Sequence, residues 1–228
     1  MRLDKMLSNL GYGSRKEIVY FAKMGLITYE DEVIKDVTKK YSYEKVKFDG
    51  KSLDPLQGII IALYKPKGYI CSHSDSGMLV YSLLEERLNR RNPKLSTIGR
   101  LDIDTSGLIL FSDDGKINHY LTSPKNKIEK VYEVTLQYPL KGDEVEIFAS
   151  GSLMLNGEEK PLLPANMKVL DNTKVHLTIN EGRYHQVKRM FAAVGNKVVS
   201  LHRLQIGKLT LDGLNEGEYR YIKLEDIV

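Results

Sequence analysis

The 228-residue sequence has no tryptophan and a single cysteine, Cys71. One thiol cannot close an internal disulfide, which excludes a disulfide-stapled scaffold and fits a reducing cytoplasm. The five histidines are scattered, and no CxxC, HxxxH or HExxH spacing occurs, so metal-free chemistry is expected. GxGxxG and GxxxxGK are also missing, so no nucleotide cofactor is expected. Long apolar runs are lacking too. The longest, Gly58–Tyr64 (GIIIALY), covers about a third of the roughly 20 residues that a bilayer-spanning helix needs. Polar Arg2, Asp4 and Lys5 follow Met1 directly, so neither a membrane span nor a secretory leader is expected.

Net charge is small, +4 from 34 Lys and Arg against 30 Asp and Glu, but it is unevenly spread. Residues 1–25 carry Arg2, Lys5, Arg15, Lys16 and Lys23 against Asp4 and Glu17, a local +3. Residues 181–208 carry Arg183, Lys188, Arg189, Lys197, Arg203 and Lys208 against Glu181, a local +5, which leaves −4 for the rest. Phosphate contacts need clustered cations rather than a high average, so both segments read as patches aimed at a polyanion. Solvated helix faces are the plainer alternative.

Leu3, Met6 and Leu10 recur at helical spacing and stop at Gly11-Tyr12-Gly13. Ser14 and Glu17 form a capping box for a second helix that buries Ile18, Phe21 and Ala22 and ends near Gly25. Two β-like stretches, 26–33 and 45–48, complete a unit over 1–50, and a turn-rich linker at 51–58 leads to a second domain at 59–228. There, 59–63, 108–111, 131–136, 175–179, 198–206 and 219–224 read as strands, and 81–88, 116–121 and 185–194 as helices. On the last helix Val187, Met190, Phe191 and Val194 face inward, with Gln186, Lys188 and Arg189 turned elsewhere. Strands outnumber helices and do not alternate with them strictly, which favours an α+β fold over a doubly wound sheet.

Two strings carry candidate chemistry. GRLDIDTSG (Gly99–Gly107) presents Asp102 and Asp104 in a polar loop between apolar elements, where a rigid scaffold usually displays reactive groups. Such an aspartate can be a nucleophile, a general base or a turn cap. If the loop is extended, the two carboxylates lie about 6.5 to 7 Å apart on one side, a spacing compatible with an inverting glycosidase. The absence of tryptophan, and of any other sugar-stacking platform, argues against that reading. EGRYHQVKR (Glu181–Arg189) opens with a tight turn and sets Arg183, His185, Lys188 and Arg189 at a helix N-terminus, where anions are attracted. Tyr132, beside Lys130 on a strand, is either a core residue or a face for stacking a base.

Taken in order, KPKGYICS (Lys65–Ser72), GRLDIDTSGLILFSDDG, LTSPK (Leu121–Lys125), KVYEV (Lys130–Val134) and EGRYHQVKRMFAAVGN resemble the RsuA-type pseudouridine synthases that modify ribosomal RNA. RLDKMLSNLGYGSRKE (Arg2–Glu17) resembles the S4 RNA-binding module that precedes their catalytic domain. The stretch ITYEDEVIKD (Ile27–Asp36) departs from that module: it is acidic and lacks the usual Asn-Gly turn.

The resemblance implies a small S4-like domain followed by a synthase domain on a mixed, mostly antiparallel sheet with flanking helices. It implies a cofactor-free, metal-free enzyme, a cytoplasmic monomer with ribosomal RNA as partner, that turns uridine into pseudouridine after flipping the base out. By motif position Asp102 corresponds to the catalytic aspartate, Tyr132 to the tyrosine stacked on the uracil, and Lys188 to the basic residue paired with the aspartate. Arg100 matches the arginine beside the aspartate, and Leu201 lines the base. Arg183, His185, Gln186 and Arg189, with Arg2, Lys5, Arg15 and Lys16 of the first domain, are further candidate RNA contacts. Enclosure in a base-sized pocket favours a neutral carboxyl group, and a nearby cation opposes that. HQVKRM (His185–Met190) resembles the small-subunit (16S) enzymes, whereas large-subunit relatives show NRQ or NRE followed by two arginines. A large-subunit synthase and a non-catalytic assembly factor on the same fold are the alternatives.

Overall fold

The computed structural model describes residues 1–228. Helices α1 (Leu3–Asn9) and α2 (Arg15–Lys23) open the chain, the second through a capping box in which Ser14 and Glu17 satisfy each other's backbone N–H groups. Strands β1 (Ile27–Tyr29), β2 (Glu32–Val33), β3 (Val46–Phe48) and β4 (Lys51–Ser52) form a sheet of order β2-β1-β3-β4. Leu3, Leu7, Leu10, Ile18, Ala22, Ile27 and Val46 are buried together between helices and sheet.

The acidic stretch 27–36 is a hairpin, not one strand. Its turn is Glu30-Asp31, with φ of 50° and 67°. A two-residue turn with the twist of a hairpin needs positive φ at both positions, which is why Asn-Gly is usual there. Here Lys45 and Lys47 pair with the Glu30 and Asp31 carboxylates, which offsets their charge. The stretch read as a linker, 51–58, begins as β4, and Leu53 is buried in the first core, so the first sheet runs to Ser52 and its core to Leu53, past the expected boundary at 50.

The second unit is built on β5 (Ile60–Lys65), followed by α3 (Glu86–Asn89), β6 (Ser96–Ile98), β7 (Thr105–Ser112) and α4 (Gly115–Thr122). It continues with β8 (Lys130–Leu136), α5 (Glu144–Ala149), β9 (Asn166–Val169), β10 (Lys174–Ile179) and α6 (Gln186–Ala193), and closes with β11 (Val198–Ile206), β12 (Leu209–Thr210) and β13 (Tyr219–Ile222). The nine-stranded sheet runs β13-β5-β7-β11-β8-β10-β9, with β12 on β11 and β6 on β7. Only β7 and β11 are parallel, so the sheet is mixed and mostly antiparallel. The central strands β5 and β7 are apolar on both faces because both are covered: Ile61, Leu63, Ile109 and Phe111 enter one core, Ile60, Ala62, Leu108 and Leu110 the other. The single helix expected over 81–88 is a 3-10 turn at Val80–Leu83 and then α3. Extended backbone at Leu84 and Glu85 breaks it, and Val80, Leu84 and Leu88 all reach the core as a result.

The units touch at Gly11-Tyr12. The Arg87 guanidinium lies 4.9 Å from the Tyr12 ring centre and pairs with Asp54, and the Asn92 N–H donates to Asn9 at 2.8 Å. A Cβ at Gly11 would lie 2.0 Å from the Arg87 carbonyl oxygen, so only glycine permits this approach.

Behind the sheet Arg91 and Asp113, each 1% exposed at the side chain, form a buried pair at 2.7 Å. The other Asp113 oxygen accepts from the Gly58 and Ile59 N–H groups at 2.7 and 3.1 Å, pinning the entry to β5. Asp113→Ala leaves the buried Arg91 guanidinium with only the Asp54 carboxylate, 3.6 Å away, and the Pro55 carbonyl, and is expected to cost about 3–5 kcal/mol of stability. Urea unfolding measures it, and a loss below about 1 kcal/mol contradicts the assignment.

Candidate active site

Gly99, at φ 69°, turns the chain out of β6 into Arg100-Leu101-Asp102, and β7 starts at Thr105. The loop between is held from beneath. Lys65, fully buried at the end of β5, donates to the backbone oxygens of Pro66, Asp102 and Thr105 at 3.0, 3.1 and 2.8 Å. Burial pulls the Lys65 amine below its ordinary pKa. The Gly68 N–H donates to Ile103 at 2.6 Å. At Gly107, φ 112°, a Cβ would lie 2.2 Å from the Arg203 carbonyl oxygen. Glycine there lets β7 close on β11 and sets Thr105 beside Leu201.

The other side of the site comes from α6. His185 precedes it in the left-handed region, φ 48°, and makes no side-chain cap. Its Nε2 instead lies 3.2 Å from Asp102 Oδ1. Lys188, in the first helical turn, sets Nζ 2.8 Å from Asp102 Oδ2 and 2.6 Å from Asp104 Oδ1. A cation is disfavoured at a helix N-terminus, and the two carboxylates restore a favourable field. Burial alone would pull the Lys188 pKa down, but its bonds to Asp102 and Asp104 hold it above the ordinary lysine value. Partial burial raises the Asp104 carboxyl, but the bond and charge of Lys188, its own backbone N–H and the charge of His185 together leave it below the usual range.

Asp102, its side chain 26% exposed, stands where an open cleft of about 720 Å³ meets a cavity of about 150 Å³. Tyr132 and Leu201 are apolar walls of the cavity, and Lys130, Gln186 and Arg203 add polar groups. The arrangement presents a carboxylate with both oxygens oriented, beside an aromatic ring, at the rim of a small cavity. It suits attack on, or proton removal from, a planar ligand stacked on Tyr132. It does not suit a glycosidase pair, because the Lys188 ammonium fills the space between Asp102 and Asp104 that an attacking water would need.

Residues 59–193 match the family of RNA pseudouridylate synthases. This chain belongs to that family. The synthase is 44% identical to ribosomal small subunit pseudouridine synthase A of Pasteurella multocida over all of this chain and 98% of the relative. It is 45% identical to the protein of the same name from Yersinia pestis, over all of this chain and 97% of the relative. A crystal structure of a pseudouridylate synthase superposes with a TM-score of 0.69 at 40% identity, covering 100% of this chain and 98% of the other. These likenesses place the synthase with the RsuA-type enzymes.

The site residues expected from the sequence fall into three groups. Asp102, Lys188, His185, Tyr132, Leu201 and the exposed Arg100 converge on the cavity. Arg183, Gln186 and Arg189 are committed to holding the loop in front of α6. Arg183 binds Glu181 and Glu158 and the carbonyl oxygens of Lys160 and Pro161. Arg189 binds Glu158 and the carbonyls of Tyr184 and Asn156. Gln186, expected to turn away from the core, is buried instead, because it bridges Glu181 and the Arg183 N–H. The N-terminal candidates lie on the other unit: Arg2 and Arg15 both pair with the buried carboxylate of Asp4, while Lys5 and Lys16 are exposed. Sequence reasoning missed Lys65, Lys130 and Arg203 as site residues. No local signal marks them: Lys65 ends β5, Lys130 begins β8 and Arg203 lies within the mixed sequence of β11, and nothing nearby in the sequence shows what each of them faces.

Because Asp104 raises the Lys188 pKa, Asp104→Asn lowers it. The ammonium that grips Asp102 is present below that pKa and lost above it, so the alkaline limb of kcat/KM is expected to move to lower pH. An unmoved limb in a pH–rate profile contradicts this role of Asp104.

Proposed function

We propose that this protein converts a specific uridine of small-subunit (16S) ribosomal RNA to pseudouridine, with Asp102 as the residue that acts on the nucleotide. The observation that carries the reading is the Asp102 carboxylate, gripped by Lys188 and His185 at the rim of a cavity walled by Tyr132. The small-subunit target is supported by the name of the full-length relatives and by HQVKRM at 185–190.

The reaction breaks the N1–C1′ bond, turns the uracil and forms a C5–C1′ bond. C5 loses a proton and N1 gains one, so nothing is oxidised or hydrolysed. Asp102 attacks C1′ or C6, or acts as the base, and Lys188 Nζ, 2.8 Å from its Oδ2, orients the carboxylate for each of these roles. Extruding the target base costs a few kcal/mol, which stacking on Tyr132 and cationic contacts to phosphates offset. Arg100, exposed beside Asp102, suits such a contact. We assign residues 1–53 as an S4-like RNA-binding domain, with Lys5 and Lys16 as its exposed cations, and 59–228 as the catalytic domain.

The test is to map pseudouridines on ribosomal RNA with and without the protein: one site, in the small subunit, is expected to depend on it. Asp102→Asn is expected to abolish isomerisation while RNA binding stays within a few-fold. Lys188→Met is expected to lower turnover about 100-fold or more, far beyond the effect of Arg15→Ala. An unchanged pseudouridine map overturns the enzymatic reading, and equal losses at Lys188 and Arg15 reduce Lys188 to a phosphate contact.

A further inference from the structure

Asp102, Lys188 and His185 account for the open end of the cavity and leave its closed end without a role. There, Lys130 and Tyr132 lie two residues apart on β8 and so share a face, and β11 sets Arg203 opposite Tyr132. Arg203 is 3% exposed; its Nε donates to the Leu108 carbonyl at 2.7 Å and its Nη1 to the Tyr132 hydroxyl at 3.3 Å. Its Nη2 is buried with no partner. The Lys130 ammonium donates to the Ile128 carbonyl at 2.9 Å, and neither cation has a carboxylate within ion-pair reach. Burial, with the Arg203 charge adding to it, pulls the Lys130 pKa down to about 8. Two cationic donors at the closed end of a cavity, both short of acceptors, are costly unless a ligand supplies the acceptor.

We propose that Lys130 and Arg203 receive the C4 carbonyl of the target uracil and make the cavity specific for uracil over cytosine. The inference rests on the reading of Asp102 as the residue that acts on the nucleotide. With the ribose at the rim beside Asp102, N1 faces outward, and C4, across the ring from N1, faces the closed end. Uracil offers a carbonyl oxygen there. Cytosine offers an amino group, which sets donors against donors and leaves the buried groups unpaired. Discrimination by an unmatched buried donor is much stronger than discrimination by shape. Tyr132 then has two duties: its ring stacks the base while its hydroxyl holds Arg203 in place.

The experiment uses a fragment of small-subunit RNA containing the mapped uridine and the full-length Asp102→Asn protein, which is expected to bind without turnover. A second RNA carries 2-pyrimidinone at that position, in which the C4 carbonyl is replaced by C–H and N3 loses its proton; the comparison with and without the Lys130 amine isolates the carbonyl contact. Deleting the oxygen is expected to weaken binding about 10-fold or more, the usual size of a hydrogen bond to a charged group. Adding Lys130→Met to the protein is expected to shrink that loss to less than about 2-fold, and Lys130→Arg to restore most of it. Circular dichroism confirms that each variant is folded, and the arginine variant decides the matter if the methionine variant is not. Equal affinity for the two RNAs overturns the proposal, as does the same loss with and without the Lys130 amine. Pseudouridine formation in the fragment by the unsubstituted protein is scored separately. If it occurs while the carbonyl has no effect, this assignment alone fails; if it does not occur, the proposed function fails first.

Discussion

The site depends on the close approach of β7 and β11 at Gly107. These two strands are the sheet's parallel pair, and a methyl group at Gly107 would collide with the Arg203 backbone. Through this contact the loop carrying Asp102, at the start of β7, is brought beside Leu201 and, one strand further, beside Tyr132 on β8. Lys65 fixes the loop from the next strand on the other side. Three strands far apart in sequence thereby hold a carboxylate, an apolar wall and an aromatic ring at fixed spacing. Only α6 has to be added to complete the electrostatics.

The positive charge of the C-terminal segment is spent mainly inside the molecule. Arg183 and Arg189 are bound to Glu158, Lys188 to Asp102 and Asp104, and Arg203 is buried. Lys197 and Lys208 remain on the surface. In the N-terminal segment Asp4 likewise ties Arg2 and Arg15 together. Clustered cations in a sequence therefore report two different things: groups presented to phosphate, and groups that orient a loop. Burial and partners separate the two, and a linear charge count does not.

Much of the fold was legible because its signals are local. The capping box at Ser14, the alternation in 131–136 and 175–179, and the apolar runs of the central strands need no knowledge of partners. What escaped is what depends on partners. β9 turns only Met167 inward, β6 has three residues, and Leu209–Thr210 is ordered by pairing with β11. The convergence of Asp102, Tyr132 and Lys188 followed from resemblance to a family, not from spacing, since they come from separate elements. Gln186 was misassigned because helical periodicity registers hydrophobicity and cannot see a buried hydrogen-bond network around Glu181. Lys130 and Arg203 went unassigned for the same reason: an isolated cation in a strand gives no sign of the cavity it faces.

The central claim is that a single nucleotide leaves its stack and enters the cavity between Asp102 and Tyr132. A crystal structure of the Asp102→Asn protein bound to small-subunit RNA tests it most directly. The account predicts the target uridine flipped out, its ring stacked on Tyr132, and C1′ or C6 about 3–3.5 Å from the residue 102 side chain, within reach for reaction. A target base still stacked in the RNA, or seated away from Asp102, would contradict it.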